Sequence, residues 1–105
     1  MPLETSDLRV TVEQVEGAVL LRAAGEIDLS TSPTLATAVD EACTGAETDL
    51  RMDLTEVTFI DSTGLREVIG AKTRVAERGR RFSIVGASRV VQRLLDVTGL
   101  TDFLG

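Results

Sequence analysis

The chain has no histidine, no tryptophan and no tyrosine, and it holds one cysteine and two prolines. Each shortage closes off some chemistry. Without histidine, Ser-His-Asp and Cys-His catalysis are excluded, and most zinc constellations lose a ligand. A lone cysteine, Cys43, cannot form an intramolecular disulfide, which suits a reducing cytoplasm. It falls where a helix is expected to face the core, so it reads as a buried thiol rather than a nucleophile. The only aromatics are three phenylalanines, too few for a base-stacking surface. A net charge of −6 opposes contact with phosphate backbones, so no direct nucleic-acid partner is expected. No apolar run approaches the roughly 20 residues that a bilayer span needs. The N-terminus lacks the basic-then-apolar pattern of a secretory signal, which points to a cytoplasmic protein without a membrane partner. No P-loop glycine pattern is present. Neither a cofactor, a metal nor an enzymatic activity is expected.

What is present suffices for one core. At 105 residues, 43% of them apolar and 27% charged, residues 1–105 are expected to form a single soluble domain. Charge is divided unevenly along the chain. Residues 1–62 hold 13 acidic against 3 basic side chains, and residues 63–105 hold 4 acidic against 8 basic. Such a bipolar surface can steer a partner. The same charges also fit ordinary solvated helix faces and a strand edge.

Periodicity supplies the elements. Leu8, Val10 and Val12 alternate with Arg9, Thr11 and Glu13, as in a strand with one buried face. Gly17 marks a turn, and the apolar run Ala18–Ala24, interrupted by Arg22, predicts a more central strand forming a hairpin with the first. Ser32 and Pro33 read as the cap and first turn of a helix with Leu35, Ala36, Val39, Ala42 and Cys43 inward and Gly45 at its end. A third strand is expected near 49–54, where Leu50, Met52 and Leu54 alternate, and a short loop follows it. A second helix spans roughly 62–78, with Leu65, Val68, Ile69, Val75 and Ala76 inward and Gly79 as its stop. Phe82 and Ile84 indicate a fourth strand. Ser88 caps a third helix with Val91, Leu94 and Leu95 inward and Gly99 at its end, and Phe103 and Leu104 in the tail dock on the body. The order is β-β-α-β-α-β-α. Polar alternate faces on three strands argue for an α/β mixed sheet with its helices mainly on one face.

The most informative stretch is Asp61-Ser62-Thr63-Gly64, which opens the second helix just beyond a strand. Asp61 is the best cap, and Ile60 can pack on Leu65 as a hydrophobic staple. Ser62 then becomes the first helical residue, with its hydroxyl outward. Gly64 is a poor helix former, and its missing side chain suggests a close approach by another protein's backbone. Ser62, Arg66 and Gly70 follow at i, i+4 and i+8, one outward stripe that reads either as a docking ridge or, at Gly70, as contact with a neighbouring helix. If the second and third strands are parallel neighbours, Asp28 lies at the same sheet edge, either orienting the Ser62 hydroxyl or capping a loop. Thr31 and Ser32 are further hydroxyls at a helix start, ranked below Ser62 as modification sites. Residue chemistry alone leaves two readings of Asp61–Gly64: a plain helix start, or a phosphorylatable switch.

Gly25-Glu26-Ile27-Asp28, Asp53-Leu54 and Phe59-Ile60-Asp61-Ser62-Thr63-Gly64-Leu65 together resemble the bacterial anti-sigma factor antagonists, the single-domain form of the STAS family. The resemblance runs along nearly the whole chain. It implies partner switching. The unmodified antagonist binds an anti-sigma factor that is itself a serine kinase, and a sigma factor is released. Phosphorylation of the motif serine, here Ser62, ends the binding, and a PP2C-type phosphatase restores it. It further implies that Asp61, Thr63 and Gly64 flank the phosphoacceptor Ser62, with Asp28 nearby; these residues, joined by Arg66 of the outward stripe, are the expected partner-binding surface. Family members often carry glycine after the Gly-Leu pair, where this chain has Arg66 and Glu67. The alternative within the family is a constitutive scaffold or accessory subunit of a signalling or transport complex.

Overall fold

The computed structural model describes residues 3–4, 7–43 and 49–100. The elements are β1 (Leu3–Glu4), β2 (Leu8–Val15), β3 (Ala18–Ile27), α1 (Ser32–Cys43), β4 (Asp49–Ile60), α2 (Ser62–Glu77), β5 (Phe82–Ala87) and α3 (Arg89–Thr98). The expected order is present, with one addition. β1 is a two-residue edge strand paired antiparallel to β2, and two residues are too few to show any periodicity. β2 and β3 form the expected hairpin around Glu16 and Gly17, with Gly17 at φ +75°. β3, β4 and β5 run parallel, so the sheet is mixed, in the spatial order β1-β2-β3-β4-β5.

One face of this sheet holds the core. Leu8 and Val10 of β2, Leu21 of β3, Met52 and Leu54 of β4 and Ile84 of β5 join Leu35 and Val39 of α1, Val68 of α2 and Leu95 of α3 in a single apolar cluster. The opposite face carries Arg9, Thr11, Glu13, Arg22 and Arg51, all exposed. Arg22 there lies 3.5 Å from Glu13 and 3.6 Å from Asp53, exposed pairs that contribute little. All three helices therefore cover the apolar face.

β4 differs most from the sequence expectation. It runs unbroken to Ile60, through the segment predicted as a loop. Two bulges explain the miss. Opposite Arg22–Ala24 of β3, β4 advances from Asp53 to Glu56, and opposite Gly25–Glu26 it advances from Val57 to Phe59. Each step inserts one extra residue. The inward positions therefore fall at Leu54, Val57 and Ile60, three apart rather than two, and strand alternation disappears from the sequence. The first bulge is closed by Asp53, whose carboxylate accepts from the Thr55 backbone N–H at 2.9 Å and from the Thr55 hydroxyl at 2.5 Å.

The helices correct three details. Ser32 does not cap α1: the Thr31 carbonyl accepts from the Thr34 and Leu35 amides, so Thr31 stands at the cap position before the first helical residue, and the Ser32 hydroxyl turns back toward the Leu29 carbonyl. The α1 stripe uses Ala38 in place of Ala36, and the α2 stripe uses Ala71 in place of Ala76, which is exposed. Both follow from the i, i+3, i+4, i+7 spacing, which places Ala36 and Ala76 at the margin. Ile69 and Leu94 are half-buried at the edge of the core. The stops expected at Gly79 and Gly99 are present, at φ +71° and +75°, and the Ser88 hydroxyl caps α3 by accepting from the Val91 amide at 3.4 Å. Cys43 is buried, and burial pushes its thiol up. The end of α1 at Gly45 and the docking of Phe103 and Leu104 lie outside the described residues.

Two glycines of α2 have opposite surroundings. A Cβ at Gly64 would sit 2.5 Å from the Ile27 carbonyl oxygen and 2.9 Å from Ile60 Cγ1, whereas one at Gly70 would meet only Arg74, at 3.9 Å. Gly70→Ala should thus stabilise the fold by about 1 kcal/mol, the ordinary helix-propensity gain. In Gly64→Ala, overpacking overrides that gain, for a net loss of about 1–2 kcal/mol. Urea denaturation of the two variants checks the opposite signs.

Candidate functional site

The site is built where two parallel strands end together. Ile27 closes β3 and Ile60 closes β4, and the two are register partners. The Asp61 amide donates to the Ile27 carbonyl at 3.3 Å, which holds the exit of β4 against the exit of β3. Asp61 is extended, at φ −111° and ψ −172°, the backbone geometry of an N-cap residue. Its carboxylate accepts from the Gly64 amide at 2.9 Å, and its carbonyl accepts from the Leu65 amide at 2.9 Å. Ile60 and Leu65 are both buried, at the two positions of a hydrophobic staple. The start of α2 is therefore fixed by a carboxylate, a carbonyl and an apolar pair.

None of these bonds uses Ser62. It is the first residue of α2 and is exposed, and its hydroxyl forms no hydrogen bond among the described residues. Thr63 is half-buried beside it. Arg66 is exposed one turn on, and Gly70 borders open space another turn on. Ser62 and Arg66 are exposed on this stripe, Gly70 is half-buried, and a Cβ on Gly70 would meet only Arg74 of the same helix. Gly64 requires a correction. The glycine is buried, and the close approach it permits is made inside the chain, by the Ile27 carbonyl and the Ile27 and Ile60 side chains. It seats the helix on the sheet and is not open to an incoming backbone.

Asp28 stands in the same rim but faces its own loop. Its carboxylate accepts from the Ser30 amide at 3.0 Å, the Ser30 hydroxyl at 2.8 Å and the Thr31 amide at 3.1 Å. The Asp28 amide donates to the Thr31 hydroxyl, which donates in turn to the Glu26 carbonyl at 2.7 Å. Asp28 thus caps the β3–α1 loop, and its bonds do not orient Ser62. The Ser30 hydroxyl, followed by the two backbone N–H groups, holds its carboxyl below the ordinary value of 3.8. Thr31 and Ser32 are 1% and 8% exposed, so no visiting enzyme reaches them.

Sequence reasoning missed two residues here. Leu29 is 74% exposed and Phe59 is 44% exposed, and with Asp28, Ser30 and Asp61 they line a shallow hollow. The two give the hollow an exposed apolar part. The signal was a leucine set between Asp28 and Ser30 in a polar turn, and a phenylalanine out of phase with its strand.

Part of the basic half proves structural. Arg74 donates to Asp40 at 2.6 Å and to Glu67 at 3.1 Å, and Arg78 donates to the Cys43 carbonyl at 2.6 Å. No group of His, Cys, Asp and Glu side chains able to hold a metal occurs among the described residues. Among them, no helix is long and apolar enough to cross a membrane.

Residues 9–104 match the family described as the STAS domain. The chain is similar to the anti-sigma-B factor antagonist of Listeria monocytogenes, at 38% identity over 77% of this chain and 71% of that protein. It is also similar to the anti-sigma-B factor antagonist of Bacillus subtilis, at 36% identity over 93% and 89%. Its fold superimposes on the crystal structure of an anti-sigma factor antagonist from Mycobacterium paratuberculosis with a TM-score of 0.80, at 26% identity, covering 92% of this chain and 82% of that one.

Because the folded Asp28 carboxyl is depressed, it contributes stability that is complete above its ordinary value and is lost as the pH falls through the lower folded value. Asp28→Asn should therefore flatten the acid limb of stability below about pH 4. Urea midpoints measured from neutral pH downward, for parent and variant, test this. Identical acid limbs would show that the loop bonds carry no linkage.

Proposed function

The chain belongs to the STAS domain family, among the anti-sigma factor antagonists, and on that premise we propose that it works as a partner switch with Ser62 as the phosphoacceptor. An antagonist of this kind acts by binding an anti-sigma factor, a non-enzymatic task. In the reading advanced here the anti-sigma factor is itself a serine kinase. The unmodified chain binds it and frees a sigma factor, the kinase phosphorylates Ser62 and the complex dissolves. A PP2C-type phosphatase then returns Ser62 to its free form. The exchange takes place in the cytoplasm, without contact to membrane or nucleic acid.

One observation carries this reading. The Ser62 hydroxyl is exposed and unbonded, while everything that anchors α2 lies in Asp61, Gly64 and the Ile60–Leu65 pair. Phosphorylation adds a charge of roughly −1.5 to −2 at a helix N-terminus, where negative charge is tolerated. The fold has no bond to lose. The surface changes instead: a dianion stands on the ridge of Ser62 and Arg66, next to Asp61, which lines a hollow with exposed Leu29 and Phe59. A partner that covers this ridge must desolvate that charge, and each ~1.4 kcal/mol of cost is tenfold in affinity.

Incubated with the kinase and ATP, the parent chain takes up phosphate at Ser62 and the Ser62→Ala variant takes up none, as read by mass spectrometry of the peptides. Ser62→Asp should weaken the complex with the anti-sigma factor on the order of 100-fold, while its melting temperature moves by less than about 4 °C. A Ser62→Asp protein that binds like the parent and sits permanently in a large complex in native extract would instead identify a constitutive scaffold.

A further inference from the structure

We infer that a phosphate on Ser62 is held by the guanidinium of Arg66 as an ion pair within α2, so that modification both adds an anion to the docking ridge and withdraws a cation from it. This rests on the reading of Ser62 as the phosphoacceptor. Ser62 and Arg66 stand four residues apart in α2, and both are exposed. Side chains in a helix lean toward its N-terminus, so the Arg66 head group covers the turn that carries Ser62. An acidic group placed four residues before a basic one is also the favoured order for a helical pair.

Arg66 is available for this pairing. It forms no ion pair or hydrogen bond among the described residues, whereas Arg74, two turns further along, is committed to Asp40 and Glu67. The neighbouring charges at the rim are Asp28 and Asp61, carboxylates that already accept from the backbone amides of Ser30, Thr31 and Gly64. Both oppose a phosphate, which leaves Arg66 as its counter-ion. The planar guanidinium fork matches phosphate oxygens in a bidentate geometry that a lysine cannot reproduce.

The test uses the full chain with phosphoserine installed at position 62 during translation, so that it does not depend on any kinase. Phosphorus NMR follows the second ionisation of the phosphate in the parent, in Arg66→Gln and in Arg93→Gln, the last removing an exposed charge from α3. An ion pair with Arg66 holds the parent value below that of Arg66→Gln by about half a pH unit. Arg93→Gln matches the parent, and added salt closes the gap. Equal values in the parent and Arg66→Gln, or an equal shift in Arg93→Gln, would overturn the inference. Failure of the phosphoacceptor reading shows separately, as kinase labelling at a residue other than Ser62.

Discussion

The bond from the Gly64 amide to the Asp61 carboxylate, made over the Ile27 carbonyl, is the constraint on which the site depends. It ties the first turn of α2 to the ends of two parallel strands. Gly64 allows that approach because any Cβ there would strike the Ile27 oxygen. Helix propensity is given up at this position, at about 1 kcal/mol, and a helix start seated directly on the sheet is obtained. Ser62 lies between the cap and the seat and takes part in neither.

In the proposed switch, that separation would let a charge act on the surface alone. Had the Ser62 hydroxyl been the capping oxygen, phosphorylation would have removed a bond from α2 and loosened the fold. With Asp61 as the cap, the hydroxyl is spare. Thr31 shows the opposite arrangement at the start of α1: its hydroxyl donates to the Glu26 carbonyl and accepts from the Asp28 amide, and the residue is buried. Two adjacent helix starts at one sheet edge have thus divided their hydroxyls between a structural use and a free one.

Much of this was readable from residue order. The hairpin at Gly17, the stops at Gly79 and Gly99, the Ser88 cap and the Asp61 cap each rest on a local rule about one residue type in one backbone conformation. β4 was not readable beyond Leu54, because its bulges move the inward residues from every second to every third position. The direction of Gly64 was misread for a related reason. A glycine records that something comes close, but which atoms come close depends on a strand some 37 positions earlier, at Ile27. The apolar pair Leu29 and Phe59 went unnoticed because they are 30 residues apart and become neighbours only when β3 and β4 lie side by side.

The sequence by itself determined the type and order of the main elements among the described residues and the outward position of Ser62, because capping, alternation and helical spacing act over a few residues. The tertiary structure alone decided that Asp28 serves its own loop, that Gly64 is sealed inside, and that Asp61, the residue before Ser62, lines one hollow with Leu29 and Phe59. Those outcomes follow from the parallel pairing of β3 with β4. The contacts that select that register are spread over the whole apolar face of the sheet, not written in any one segment.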